Sequence, residues 1–240
     1  MIELRHVTKT YRIPHEKKDT LFETLLGYFK EQKRYEYFNA LDDITITINE
    51  GKTVGIIGRN GSGKTTLLKI IAGIIKPTKG DVIVSGKVSP FLSLGTGFHS
   101  ELTARENLYL YGAILGFTRN EMKERIERIL NFAGVNRFRD TKLKNFSTGM
   151  AARLAFSVMV ETSPDILLLD EIFAVGDKDF KPKCVSVMNK YKKDGKTVLI
   201  ATHSLEVVKK YCDMTVALEQ GRIEKMGTTK EVVKFYEKKR

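Results

Sequence analysis

Gly58-Arg59-Asn60-Gly61-Ser62-Gly63-Lys64-Thr65-Thr66 follows an apolar strand, Val54 to Ile57, and opens a helix, Leu67 to Ala72. Strand, glycine-rich loop and helix in that order are the context in which G-x-x-x-x-G-K-[ST] works as a phosphate cradle. Glycines at 58, 61 and 63 let the backbone turn tightly, so that several N–H groups converge on phosphate oxygens. The helix N-terminus adds its partial positive charge at the same place. Lys64 is expected to set an ammonium against the β- and γ-phosphates, with the Thr65 hydroxyl on Mg²⁺. Arg59, Asn60, Ser62 and Thr66 complete the loop, and the expected ligand is a nucleoside triphosphate.

A chain of 240 residues can bury a sizeable core, and its 42% apolar and 29% charged content is that of a globular protein. No segment has the apolar length of a membrane span, and Met1-Ile2-Glu3-Leu4-Arg5 lacks the apolar core of a signal peptide, so a cytosolic location is expected. Cys184 and Cys212 have no metal-ligand spacing and read as reduced buried thiols. The formal charge of +12 suits anionic lipid or nucleic acid, and equally a well-solvated lysine surface.

Residues 2 to 13 alternate as a first strand, and a second strand pattern begins at Ile44 and runs to Ile48. The stretch between them, about 14–38, reads as an insertion. Within it Asp19 or Thr20 can cap a helix whose Leu21, Phe22, Leu25, Leu26 and Phe29 share one face. Such a helix needs a surface to lie on, either its own domain or a partner. Lys79-Gly80-Asp81 reads as a turn before a strand at Val82 to Val84. Thr118 with Glu121 makes a capping box, followed by the apolar stripe Met122, Ile126, Ile129, Leu130, Ala133. Residues of about 90–160 therefore read as a mostly helical subdomain. Strand patterns return at Ile166–Leu169, Thr197–Ala201 and Met214–Leu218, with a helix around Cys184 to Lys193 between the first two. No internal repeat is present, so residues 1–240 carry one nucleotide-binding unit.

Ile166-Leu167-Leu168-Leu169-Asp170-Glu171 is a continuous apolar run ending in two acids. A buried parallel strand delivers its last side chains to the carboxyl edge of the sheet, where the phosphate loop also sits. Asp170 is then placed to hold Mg²⁺ through water, and Glu171 to orient or deprotonate the attacking water.

Asn145-Phe146-Ser147-Thr148-Gly149-Met150, just ahead of a helix at Ala151 to Glu161, resembles the signature sequence of ATP-binding cassette (ABC) proteins. The order of motifs is similar to that family from residue 2 to about 228. The resemblance implies a P-loop ABC-type α/β fold with a parallel core sheet, a small antiparallel β subdomain and a helical subdomain. It also implies that His203 is the switch histidine and that Ala174-Val175-Gly176-Asp177 forms the D-loop. Asp170 to Asp177 with Phe180 and Cys184, Leu94 to His99, and Glu101-Leu102-Thr103-Ala104-Arg105-Glu106-Asn107 are similar to the ATPase subunits that export O-antigen, teichoic acid and capsular polysaccharide.

From that resemblance follow ATP and Mg²⁺ as ligands and a second copy of the chain docked head to tail. ATP would lie between Lys64 of one copy and Ser147 and Gly149 of the other. An integral-membrane permease would carry the lipid-linked polysaccharide, O-antigen first, and the chain would sit on the cytoplasmic face of the inner membrane. A soluble ABC ATPase acting on nucleic acid is the rival that the charge suits, but nucleic acid is not expected because paired cassettes and long coiled-coil insertions are missing. The family places adenine on an aromatic ring near the end of the first strand, where Tyr11 stands, with Tyr37 and Phe38 as competitors. Two departures stand out. Glutamine occurs only at Gln32 and Gln220, neither in the family's Q-loop, so the loop Phe91 to Phe98 must couple by other means. Met150 replaces the signature's usual glutamine.

Overall fold

The computed structural model describes residues 1–14, 35–88, 98–170 and 180–239. Strands β1 (Ile2–Pro14), β2 (Tyr35–Ile48), β3 (Thr53–Ile57) and β4 (Lys79–Val84) come first, with helix α1 (Lys64–Ile71) between the last two. Helices α2 (Ala104–Ile114), α3 (Arg119–Ala133) and α4 (Thr148–Thr162) follow. The remaining order is β5 (Ile166–Asp170), α5 (Lys181–Lys193), β6 (Thr197–Thr202), α6 (Leu205–Tyr211), β7 (Met214–Glu219), β8 (Arg222–Thr228) and α7 (Thr229–Lys239).

Two sheets form from the described strands. The central one has the order β5-β6-β3-β7-β8, in which β5, β6, β3 and β7 are parallel and β8 closes the edge antiparallel. The core sheet is thus parallel except at that edge. Every residue of β3 and β6 is buried, because a parallel strand in the middle of such a sheet is covered on both faces. Alternate side chains serve two cores. Leu168, Leu199 and Ala201 join α1 and the smaller sheet, whereas Leu167, Leu169, Val198 and Ile200 join the helices α2 to α5. A third cluster, Ile57, Val208, Ala217, Val232 and Val233, seats α6 and α7.

The smaller sheet is antiparallel, in the order β2-β1-β4. Its strands run further than the sequence pattern suggests. β2 starts at Tyr35 rather than Ile44, and Tyr35 to Asn39 pair with Pro14 to Thr10. The pattern is hidden by bulges: the register slips between Leu4 and Thr10, and His6 and Asp43 both take positive φ, 50° and 57°. Pro14 and Tyr35 to Phe38 are therefore strand residues, and the rest of the expected insertion, with its helix at Leu21 to Phe29, lies outside the described residues. Lys79-Gly80-Asp81 is likewise not a turn but the start of β4, where Asp81 pairs with Arg5 and Lys79 with Thr8.

In the helical part, Thr118 accepts from the Glu121 N–H and the Glu121 carboxylate accepts from the Thr118 N–H at 2.7 Å, closing the expected box. Met122, Ile126, Ile129, Leu130 and Ala133 are all buried. Thr103 and Glu106, within the motif Glu101 to Asn107, make a second box at the start of α2. Helix α4 starts at Thr148, three residues earlier than expected, with Ser147 as its cap.

Candidate functional site: the carboxyl edge of the central sheet

The four parallel strands, β5, β6, β3 and β7, reach the same edge of the sheet in register. Ile57 of β3 pairs with Thr202 of β6 and with Ala217 of β7, and Asp170 of β5 pairs with Ala201 of β6. That register brings the loop Gly58 to Gly63, the end of β5, and His203 to one edge. His203 is exposed immediately beyond β6, in a turn fixed by the Ser204 N–H donating to Thr202 Oγ1 at 3.1 Å.

The loop itself is built by close approach. A Cβ at Gly58 would stand 2.4 Å from the Leu218 carbonyl oxygen and 2.4 Å from Ser62 Oγ. Gly63 takes φ 105°, and a Cβ there would meet the Ala40 carbonyl oxygen at 2.5 Å. No other residue type fits either position. Helix α1 then begins with neither a side-chain cap nor an acidic residue in its first turn, so nothing in that turn offsets the positive end of its dipole. Lys64 is 6% exposed, and its ammonium donates to the carbonyls of Gly58 at 2.9 Å and Arg59 at 3.0 Å. Thr65 Oγ1 donates to Asp170 Oδ2 at 2.7 Å. A hydroxyl and a carboxylate oxygen at that separation are hard donors, and Mg²⁺ takes one or two such protein ligands together with phosphate oxygens and water. Residues and ion fit.

From the other side the loop is buttressed by a turn that sequence reasoning missed. Gly221 N–H donates to the Ser62 carbonyl at 3.1 Å, and its own carbonyl accepts from Asp42 N–H at 2.8 Å. Gln220-Gly221, both with positive φ, is the hairpin turn between β7 and β8. A polar-glycine pair just after the apolar run Met214 to Leu218 was the available signal.

The aromatic candidates meet on the β1–β2 arm. Tyr11 and Phe38 are direct cross-strand partners and so share one face, while Tyr37 opposes Arg12 on the other. Phe38 is two residues from Ala40, whose carbonyl abuts Gly63. Two strand residues span roughly 7 Å, which places the Tyr11–Phe38 face beside the phosphate loop. Both rings are exposed, at 38% and 48%.

Ser147 caps α4 and Gly149 lies in its first turn. Ser147 Oγ accepts the Met150 N–H at 3.2 Å, which leaves the hydroxyl proton to be donated, and a Cβ at Gly149 would lie 3.9 Å from that same Oγ, so the Gly149 backbone sits beside the hydroxyl. Among the described residues, Ser147 hydrogen-bonds only within α4, so it is not joined to the phosphate loop of its own chain. Met150 packs against the helical core, the use an apolar residue finds there. Glu171, the loop Phe91 to Gly97 and Ala174 to Asp177 lie outside the described residues.

Loop, level strand ends and carboxylate define a P-loop nucleotide-binding protein of the α/β class. Comparison narrows this. The pattern described as ABC transporter matches residues 41–174. The chain is 41% identical to the O-antigen export system ATP-binding protein RfbB of Klebsiella pneumoniae, over 98% of this chain and 97% of that one. It is also 38% identical to the teichoic acids export ATP-binding protein TagH of Bacillus anthracis, over 98% of this chain but 42% of that one. Its fold is similar to a dimeric, post-hydrolysis structure of the ATP-binding cassette MJ0796 bound to ADP and Pi, with TM-score 0.77, 26% identity and coverage of 95% and 99%. The chain belongs to the ATP-binding cassette family of transporter ATPases.

Proposed function

We propose that this chain is the ATP-hydrolysing subunit of a polysaccharide exporter, working on the cytoplasmic face of the inner membrane beside a separate permease, with a lipid-linked O-antigen as cargo. The observation that carries this reading is the match, end to end on both chains, to an O-antigen export ATPase. The match to teichoic acid export ATPases, equally complete on this chain, supports polysaccharide export as a class. No described helix is long and apolar enough to cross a membrane, which suits a subunit that relies on a permease.

In this reading the N–H groups of Gly58 to Thr66 and the Lys64 ammonium hold the β- and γ-phosphates. Thr65 and Asp170 hold Mg²⁺, which neutralises phosphate charge when bound. Adenine lies on the Tyr11–Phe38 face. A second copy, docked head to tail, brings Ser147 and the Gly149 N–H to the γ-phosphate from the far side. That Ser147, among the described residues, makes no hydrogen bond to the phosphate loop of its own chain supports that arrangement. Glu171 takes the proton of the attacking water, and His203, at the same edge, hydrogen-bonds the γ-phosphate as charge builds on it. Closing around ATP and opening after hydrolysis supplies the stroke to the permease.

The test is reconstitution of the chain and its permease in vesicles loaded with one lipid-linked glycan at a time. ATP hydrolysis stimulated several-fold by lipid-linked O-antigen, and not by a teichoic acid precursor, is expected. Stimulation by the teichoic acid precursor alone would reverse the cargo, and stimulation by neither would remove polysaccharide export.

A further inference from the structure

Ser147 is useful only if it is held at a fixed place, and the residues just before it cannot do that alone. Leu143 to Asn145 form a three-residue 3-10 turn, a short element with poor hydrogen-bond geometry. What holds the approach to Ser147 is a strap from elsewhere in the chain, His99 to Thr103. The Leu143 N–H donates to the Leu102 carbonyl at 3.0 Å and the Lys144 N–H to the Ser100 carbonyl at 2.9 Å. On the return side the Ala104 N–H donates to the Thr141 carbonyl at 3.1 Å.

The strap is in turn pinned from beneath. Asn107, 1% exposed in α2, accepts the His99 N–H at 2.6 Å on Oδ1. Its Nδ2 donates to the carbonyls of His99, Leu102 and Thr103 at 3.0, 3.1 and 3.0 Å. Above, the Glu101 carboxylate receives the ammonium groups of Lys144, at 3.0 and 3.1 Å, and Lys142, at 3.3 Å. Lys144 is three residues from Ser147, so Glu101 grips the chain one turn ahead of the hydroxyl.

We propose that Glu101 is a positioning residue for ATP hydrolysis. By clamping Lys142 and Lys144 to a strap pinned by Asn107, it fixes where Ser147 and Gly149 meet the nucleotide of the opposing subunit. This rests on the reading in which Ser147 contacts the γ-phosphate. The physical reason is the steepness of rate with position: a misplacement of about 1 Å at a group that completes a reacting constellation costs up to roughly a hundredfold. Glu101, Lys142 and Lys144 are about half exposed, so their ion pairs contribute little to folding, and a change there moves geometry without unfolding the domain.

The experiment uses the full chain assembled with its permease, and measures kcat, KM for ATP and melting temperature. Glu101→Lys should lower kcat about fivefold, the equivalent of a surface ion-pair network worth about 1 kcal/mol, with KM within twofold and the melting temperature lowered by no more than about 4 °C. Reversing the partners as well, Glu101→Lys with Lys142→Glu and Lys144→Glu, should restore kcat to within twofold. In a Ser147→Ala background Glu101→Lys should cost clearly less than it does alone, because most of its effect acts through Ser147 and only the Gly149 contact is left to misplace. A slow Ser147→Ala beside a Glu101→Lys of normal kcat, or a reversed triple variant as slow as the single one, or additive losses in the double variant, would overturn the inference alone. Normal turnover in Ser147→Ala would overturn the reading on which it rests.

Discussion

Lys64 shows how a charge is kept in a place that excludes water. Its ammonium is buried, and burial of an unpaired cation would cost several kcal/mol, yet two carbonyls of its own loop receive it. The same loop that presents N–H groups outward thus presents carbonyls inward, and the lysine joins the two layers. Lys64→Met should therefore do two things: leave the Gly58 and Arg59 carbonyls without that donor, and weaken ATP binding. A lost hydrogen bond to a charged group is worth about 1.5–3 kcal/mol, which is roughly ten- to a hundredfold in affinity. Glu171→Gln should behave in the opposite sense. It should keep shape and ATP affinity but remove the proposed base, slowing turnover by roughly a hundredfold or more and accumulating an ATP-bound dimer. Titration with a fluorescent ATP analogue and steady-state hydrolysis on both variants separate binding from chemistry. Wild-type hydrolysis in Glu171→Gln would end the assignment of that residue.

At the scale of elements, the β1–β2 arm is the proposed platform for the nucleotide base. Tyr11 and Phe38 oppose each other across the pair, so two of the three sequence alternatives for the adenine platform become neighbours on one face, with Tyr37 on the other. Tyr11→Ala and Phe38→Ala should each weaken ATP and GTP alike, since stacking on an aromatic face is tolerant of base identity, and Tyr37→Ala should leave both unchanged. Equilibrium binding of the two nucleotides to the three variants decides it; a loss confined to Tyr37→Ala would move the platform to the other face of the arm. The phosphate loop and β5 were legible because their residues have few other uses: glycines that leave no room for a Cβ, and an apolar run too continuous for a half-exposed strand. The arm was not legible. Its alternation is broken by bulges at His6 and Asp43, and Tyr35 to Asn39 are exposed on both faces, so no period-two burial marks them as strand. The strap was illegible for a different reason. Asn107 makes bonds to backbone groups five and eight residues away, a pairing fixed by the fold and by no periodicity in the chain.

Across the whole molecule the two edges of the central sheet do different work. The carboxyl edge holds the glycine loop, Asp170 and His203, while the amino edge is closed by two aspartate clamps. Asp165 accepts from Lys196 Nζ at 2.7 Å and from the Lys87 N–H at 2.9 Å. Asp213 accepts from Lys192 Nζ at 2.6 Å and from the Thr53 N–H, at the head of β3, at 3.0 Å. Burial works against the Asp213 charge, but the Lys192 hydrogen bond, the Thr53 N–H and the charges of Lys192 and Lys52 outweigh it and hold its pKa below the ordinary aspartate value of 3.8. Asp165 is lowered too, chiefly by Lys196. A carboxylate whose pKa is lower folded than unfolded adds stability above the unfolded value and loses it as pH falls through the folded one. The amino edge should therefore hold unchanged from pH 7 to about 5 and weaken below about 4. Asp213→Asn keeps an oxygen for Thr53 but gives up the charge. It should be less stable than the wild type at pH 7, with the gap closing as pH drops toward 3. Urea unfolding of both proteins across that range, at one fixed ionic strength, isolates the clamp, because the rise of the +12 net charge on acidification is common to both and cancels in the difference. A gap that stays constant down to pH 3 would mean that Asp213 holds β3 by shape and hydrogen bonding alone, with its charge contributing nothing.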